Sequence, residues 1–333
     1  MSNQACTYVT AHWGVHDERW AEALRSCGYK VETISLERDH TSIDEVLAHL
    51  HGTSHPILAG PLSTVTKGLL GTRAPLFGLS WGFDLVQAND ANEELAWLQR
   101  LSGLIVDSEY TSSIALRSGM NESQIHRIPW GIDLNTFTPD GPITTPTELG
   151  IPAGRRIILS LRALEPVYRV GDIIRAFAAI TDQFSNTHLV VGNDGSLRDQ
   201  LAEIVNELHI ANRVSFIGHL GEKDLPPLLR TAACYVSASE VDGSSVTLLQ
   251  AMGCGTPVVV SNTPGNCEWV QNGETGHLFD VREAADLARA LSDILKPSLA
   301  GTNSADGLLA RALVESRANW TRNSRQLTDI LRA

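Results

Sequence analysis

Residues Ser237 to Phe279 read SASEVDGSSVTLLQAMGCGTPVVVSNTPGNCEWVQNGETGHLF. The pattern predicts strand, loop, helix, strand. Ser244 or Ser245 is placed to N-cap a helix, Leu248, Leu249 and Met252 share its apolar face, and Gly253 to Gly255 end it before the β-branched run Pro257 to Ser261. Gly243 and the two serines keep the loop small enough for a ligand to approach the backbone. The amides of a helix start, at the positive end of the helix dipole, suit an anion such as a diphosphate. Asp242 stands just before that helix and Gln250 well inside its second turn, giving one polar group for a sugar and another for a ribose. Taken alone, the same residues also fit an ordinary capped helix.

In both directions from this segment, short apolar or β-branched runs alternate with amphipathic ones. Strands are predicted at Tyr8-Val9-Thr10, Val31 to Ser35, Ile57-Leu58-Ala59, Gly103 to Ser108, Arg156 to Leu161, His188 to Gly192, Val214 to Gly218 and Cys234 to Ser237. Helices are predicted at Arg19 to Cys27, Gly171 to Thr181 and Arg198 to Leu208. Nearly continuous apolar strands in βαβ order imply parallel sheets covered on both faces. At 333 residues the chain exceeds what one core organises, so two α/β domains are expected. Pro and Gly cluster in Pro139 to Gly154, which places the boundary between domains 1–145 and 146–333. The tail Leu308 to Leu331, carrying Trp320, is a long helical pattern expected to pack back across the first domain.

Composition limits the function classes. Residues 1 to 150 carry 9 Lys and Arg against 18 Asp and Glu, the remainder 17 against 20, so the first half is the acidic one. A negative surface repels phosphate backbones and anionic headgroups, which disfavours nucleic acid and strong membrane docking. The N-terminus lacks a basic, then apolar leader, and no run approaches the roughly 20 apolar residues that span a bilayer, so a cytoplasmic protein is expected. The five cysteines show no C-x-x-C spacing and read as reduced, buried thiols, the alternative being a catalytic thiol at Cys254 or Cys267.

The opening segment resembles retaining glycosyltransferase family 4, whose signature is an acidic residue, seven residues, a Glu, then A-M-x-C-G-x-P-V-V-x-S-x-x-x-G-x-x-E. Here the series is Asp242, seven residues, Gln250, Ala251-Met252-Gly253-Cys254-Gly255-Thr256-Pro257-Val258-Val259, Ser261, Gly265 and Glu268. The resemblance implies that Asp242 contacts the transferred sugar, that backbone from Gly243 through Ser244, Ser245, Val246 and Thr247 holds the diphosphate, and that Gln250 meets the ribose. Gln250 departs from the family Glu: an amide still pairs with a diol but lacks a charge-assisted bond. A second match, SLRALEPVYRVGDIIRAFAAI at 160–180, looks like the family's Arg followed seven residues on by a Lys, here Arg162 and Arg169. Two fixed cations stabilise the charge that builds on a leaving diphosphate without a metal. The bland reading of both is surface arginine.

Weaker echoes cover most of the chain. Val191 to Gly195 resembles a strand ending in G-x-G, and Phe216 to Leu220, with His219 and Leu220, resembles the segment near the donor base. Ile128 to Asp133 with Phe137 looks like the end of the acceptor domain. The family commonly sets a His at the end of a first-domain strand, where this chain has Leu58, with His55 three residues earlier. The usual glycine-rich first turn is replaced by Ala11 to Asp17, leaving Gly14 on the donor side and His12 or His16 for polar contacts. Trp81 and Asp84, in Ser80 to Asp84, are placed near the acceptor.

The resemblance therefore implies the GT-B architecture, two Rossmann-like doubly wound domains facing across a cleft, the first for the acceptor and the second for the donor. The implied reaction moves a hexose-type sugar from a nucleoside-diphosphate sugar to an acceptor hydroxyl with retention, without cofactor or metal. No D-x-D pair, H-E-x-x-H, first-strand G-x-G-x-x-G or P-loop occurs. Rival readings are a catalytically inactive nucleotide-sugar-binding partner subunit, a sugar-nucleotide epimerase, or a phosphorylase-like enzyme on the same fold. The sequence leaves base, sugar, acceptor and oligomeric state open.

Overall fold

The computed structural model describes residues 4–296 and 305–332. Contacts divide the chain into two units, one made of residues up to Trp130 together with Trp320 onward, the other of Gly131–Asn319. The first unit runs β1 (Ala5–Thr10), α1 (Val15–Ser26), β2 (Lys30–Ser35), α2 (Ile43–His49), β3 (Ile57–Ala59), α3 (Thr64–Gly68), β4 (Leu76–Leu79), α4 (Phe83–Asp90), β5 (Gly103–Val106), α5 (Glu109–Arg117) and β6 (Ile125–Arg127). Its six strands are all parallel, in the order β2-β1-β3-β4-β5-β6. The inner strands β3, β4 and β5 are buried along their whole length, whereas the edges β2 and β6 are partly open. That contrast follows from position: only inner strands are covered on both faces and flanked on both sides.

The second unit repeats the plan with β7 (Arg156–Ser160), α6 (Val170–Ile180), β8 (Thr187–Gly192), α7 (Arg198–Glu207), β9 (Val214–Gly218), α8 (Leu225–Thr231), β10 (Cys234–Ser237), α9 (Val246–Gly253), β11 (Val258–Ser261), α10 (Pro264–Cys267), β12 (His277–Phe279), α11 (Ala284–Ile294) and α12 (Ala305–Arg317). The parallel order is β12-β11-β10-β7-β8-β9. Helix α6 shows why the sheet is covered: Val170, Ile173, Ile174, Phe177 and Ile180 fall on one helical stripe and are buried, packed with α11 and the strands in one apolar core.

Two organisational expectations change. The division falls at Trp130, ahead of the Pro/Gly-rich stretch, because that stretch is tied into the second unit. Ile132 and Phe137 press on Gly253, where an added Cβ would lie 2.4 Å from Ile132 Cδ1. Arg230 donates to the carbonyls of Pro142 (2.7 Å) and Thr138 (3.0 Å), and Arg311 donates to those of Phe137 and Leu134. The expected single C-terminal helix is three: α12 packs on α9 in the second unit, while α13 (Trp320–Ser324) and α14 (Leu327–Ile330) pack on α1 in the first. Among the cysteines, Cys6, Cys234 and Cys254 are buried thiols that burial pushes up to about 12, but Cys267 closes the one-turn α10 and is exposed. Among the described residues no helix is long and apolar enough to cross a membrane.

Candidate active site

In the second sheet β7 and β10 are neighbours, yet the chain proceeds from β7 to one edge and from β10 to the other. Loops leaving two such strands diverge, and in open α/β sheets ligands bind at that switch point. Arg162 leaves β7 there and Asp242 leaves β10. The Arg162 guanidinium donates through Nη2 to Asp242 Oδ1 at 2.7 Å and through Nη1 to Ser245 Oγ at 2.5 Å, and it lies 4.3 Å over the Tyr168 ring. Both members are mostly buried, their side chains 12% and 8% exposed. Burial opposes the Arg162 charge, but Asp242, with Tyr235 and Tyr168, more than offsets this and raises its pKa above the usual arginine value.

Asp242 is only half used. Its Oδ2 is buried with no hydrogen-bond partner in the protein, an arrangement that costs roughly 1–3 kcal/mol and calls for a ligand donor. Helix α9 begins beside it. Its N-cap is Ser245, as the sequence suggests, but the Ser245 hydroxyl makes no capping bond and faces Arg162 instead. The first amides of α9 therefore have no side-chain cap, which leaves the positive helix end to an anion. Thr247, hydrogen-bonded to the buried Tyr235 hydroxyl at 2.9 Å, and half-buried Gln250 one turn on share a face of α9.

The loop before α9 is supported from behind. A Cβ on Gly265 would lie 2.1 Å from the carbonyl oxygens of both Asp242 and Gly243, so this glycine is where the two segments touch. Trp269 Nε1 donates to Ser244 Oγ at 3.3 Å, and Ser261 Oγ to the Ser239 carbonyl at 2.5 Å. Leu220 closes against the strand ends: a Cβ on Gly192 would lie 2.8 Å from Leu161 and 3.5 Å from Leu220. His219 is exposed.

Arg169 is held differently from Arg162. It adopts a left-handed backbone (φ 48°) at the start of α6, and its guanidinium is shared by Asp172 (2.5 Å) and Glu240 (2.9 Å). Its pKa is raised, first by the hydrogen bond to Asp172. Thus the structure joins Arg162, Asp242, Ser245 and Thr247 directly, with Arg169 fixed by other partners. Tyr168, Glu240 and Trp269 escape the sequence reading; Glu240, a carboxylate two residues before Asp242 in the same loop, is the one whose position offered a signal.

The first-unit candidates do not converge in the same way. His12 is exposed and pairs with Glu37 at 2.6 Å, while the His16 ring packs 5.2 Å from Trp81 and 4.8 Å from Trp130. The Trp81 indole N–H is buried without a protein acceptor. Gly14 N-caps α1, its amide donating to Asp17 at 2.8 Å; Asp17 also receives the Tyr8 hydroxyl at 3.0 Å. Leu58 is fully buried in β3 rather than at a strand end open to substrate, and His55 bonds Thr7 at 2.9 Å. Asp84 accepts four hydrogen bonds from its own surroundings. Among the described residues no three His, Cys, Asp or Glu side chains converge to hold a metal.

Two parallel doubly wound units, one bearing a buried cation–carboxylate pair beside an uncapped helix start at its switch point, define a two-unit α/β protein in which that helix start is open to an anion. A family model described as Glycosyl transferases group 1 matches residues 144–326, more than half of the sequence. The chain belongs to the glycosyl transferases group 1 family. Similar curated proteins include N-acetyl-alpha-D-glucosaminyl L-malate synthase of Bacillus anthracis, 32% identical over 45% of this chain and 38% of that protein. GDP-mannose-dependent alpha-(1-6)-phosphatidylinositol monomannoside mannosyltransferase of Mycobacterium tuberculosis is 24% identical over 98% of this chain and 89% of its own. The chain spans less than half the length of the first curated relatives it matches. Sucrose-phosphate synthase of Thermosynechococcus elongatus superposes with a TM-score of 0.82 at 19% identity, over 99% of this chain and 98% of that one. HepE of Anabaena, solved with UDP and glucose, superposes with a TM-score of 0.79 at 17% identity, over 99% and 100%. At these identities the likeness establishes the fold, GT-B.

Proposed function

We propose that this chain is a retaining, metal-independent glycosyltransferase that moves a hexose-type sugar from a nucleoside-diphosphate sugar to an acceptor hydroxyl. The observation that carries the reading is the buried Arg162–Asp242 pair, with one Asp242 oxygen bare, beside the uncapped start of α9. In this reading Asp242 Oδ2 accepts a sugar hydroxyl, the amides from Gly243 to Thr247 bind the diphosphate, and Gln250 takes the ribose. Arg162 and Arg169 stabilise charge on the departing diphosphate, and the donor phosphate takes the acceptor proton. The second unit is the donor side; the first, with Trp81 and His16, is the acceptor side.

A panel of UDP-, GDP-, ADP- and dTDP-sugars, scored by thermal shift and by nucleoside diphosphate release with and without EDTA, tests this, since a ligand that binds only the native state raises its apparent stability. The panel spans the GDP-mannose and UDP named for relatives and neighbours. A shift with EDTA-resistant release supports the proposal, and no shift with any donor refutes it. A second reading, a donor-binding subunit without turnover, is favoured by Gln250 and by Leu58 buried in β3; it requires a shift without release for any acceptor tried.

A further inference from the structure

Arg169 and Arg282 converge on a single oxygen. Glu240 Oε1 accepts from Arg169 Nη1 at 2.9 Å and from Arg282 Nε at 2.8 Å. Both arginines have left-handed backbones, φ 48° and 68°, which a side-chain-bearing residue adopts only when its surroundings impose it. The two loops are also stitched together, the Glu240 amide donating to the Val167 carbonyl at 2.9 Å. Beyond them Asp172 takes Arg169 at 2.5 Å and Arg175 at 3.5 Å. The cluster thus sets three arginines against two carboxylates. Exposure is uneven: the Arg282 side chain is 67% exposed, those of Arg169 and Glu240 28% and 24%.

This arrangement raises a difficulty for the proposed function. A diphosphate drawn to Arg169 meets the Glu240 carboxylate, which repels it and already occupies the cation. The conflict is resolved if Glu240 keeps a second partner. We propose that Glu240 is a shared counter-ion, a positioning residue that orients Arg169 before the donor arrives and passes to Arg282 when the diphosphate takes Arg169. The inference rests on the reading that Arg169 meets the diphosphate. Arg282 then favours donor binding without touching the donor, by keeping Glu240 neutralised as Arg169 leaves it.

A double-mutant cycle separates this from a direct contact. Calorimetric Kd values are measured for the nucleoside diphosphate that the full chain binds, with UDP, GDP, ADP and dTDP tried in turn, for wild type, Arg282→Ala, Glu240→Gln and the double variant. Arg282→Ala is expected to weaken binding by about fivefold or more, the usual scale of coupling between sites, and to raise donor KM with kcat unchanged. In the Glu240→Gln background the same substitution is expected to change Kd by less than about twofold, because there is no carboxylate left to hand over. Arg282→Lys, which keeps the charge, should retain most of the affinity. Arg282 is exposed enough for these variants to fold, which a melting curve checks. An equal loss in both backgrounds, or no loss in either, overturns the proposal while leaving diphosphate binding intact; a wild type that binds none of the four diphosphates overturns the proposed function itself.

Discussion

Asp84 and Asp242 each stand a few residues beyond a parallel strand, Asp84 in the first turn of α4 and Asp242 in the loop before α9, yet their carboxylates are used in opposite ways. Asp84 accepts the Ser80 hydroxyl at 2.6 Å, the amides of Leu62 and Leu85 at 2.7 Å and that of Trp81 at 3.2 Å. It fastens the β3 loop to the start of α4, with Gly82 at φ 89° making the turn. Asp242 meets one arginine and leaves one oxygen buried and unbonded. A carboxylate consumed by its own loop is a fastener, and one that the fold leaves incomplete is a receptor. Hydrogen-bond completeness thus separates two aspartates that the resemblance placed on the acceptor and the donor side.

The largest effect expected concerns what holds Asp242 in that incomplete state. Gly265→Ala forces a methyl group against two carbonyl oxygens, and backbone rather than a flexible side chain must move. The loss is expected to exceed about 4 kcal/mol in chemical denaturation, or to abolish folded protein, which places it in the exceptional tail of core substitutions. A near-wild-type midpoint would show that the Asp242 loop is not seated on this glycine.

The next effects set the two carboxylates against each other. Arg162→Ala and Asp242→Asn should each lower the rate of nucleoside diphosphate release by on the order of a hundredfold or more, as removal of a leaving-group or sugar contact does. Asp242→Asn keeps an oxygen for Arg162, so its unfolding free energy should fall by no more than about 2 kcal/mol. Asp84→Ala strands three backbone amides and a hydroxyl and should cost about 3 kcal/mol, with release per folded molecule within roughly threefold of wild type. If the Asp84 variant is stable but inactive, or the Asp242 variant unstable but active, fastener and receptor are exchanged. Smaller again, Gln250→Glu should lower donor KM by roughly five- to tenfold, since a charge-assisted bond to a hydroxyl is about twice as strong as a neutral one. An unchanged KM would remove Gln250 from the ribose.

What the sequence disclosed follows the same division. Inner strands such as Ile57–Ala59 and Cys234–Ser237 are continuous apolar runs because both faces are covered, and these were legible to the residue. Strands β6 and β12 are three residues long and partly exposed, so no period marks them. Ile132 and Phe137 preceded the apparent linker, and nothing local showed that they pack on Gly253. Arg162 and Asp242 were visible through motif spacing. The bare oxygen and the pairing of Arg169 with Glu240 depend on partners far apart in the chain, and these only the fold brings together, while the Tyr168 ring reaches Arg162 through the turn of their shared loop, which no local pattern marks.

The smallest effect expected is a slope. Burial pushes the Asp84 carboxyl above the usual aspartate value of 3.8 and outweighs the four hydrogen bonds that pull it down. Between the unfolded value and the higher folded one, the native state keeps a proton that the unfolded chain has released. Stability from this group is therefore greatest at low pH, declines as pH rises through that window, and is level above the folded pKa, with a slope that for one proton cannot exceed about 1.4 kcal/mol per pH unit. Asp84→Asn removes the titration, so its unfolding free energy should be lower overall but flatter from pH 4 upward, measured as urea midpoints against pH. A slope unchanged by the substitution would mean that the four donors, not burial, govern this carboxylate, and that Asp84 is a fastener in its ionised form throughout.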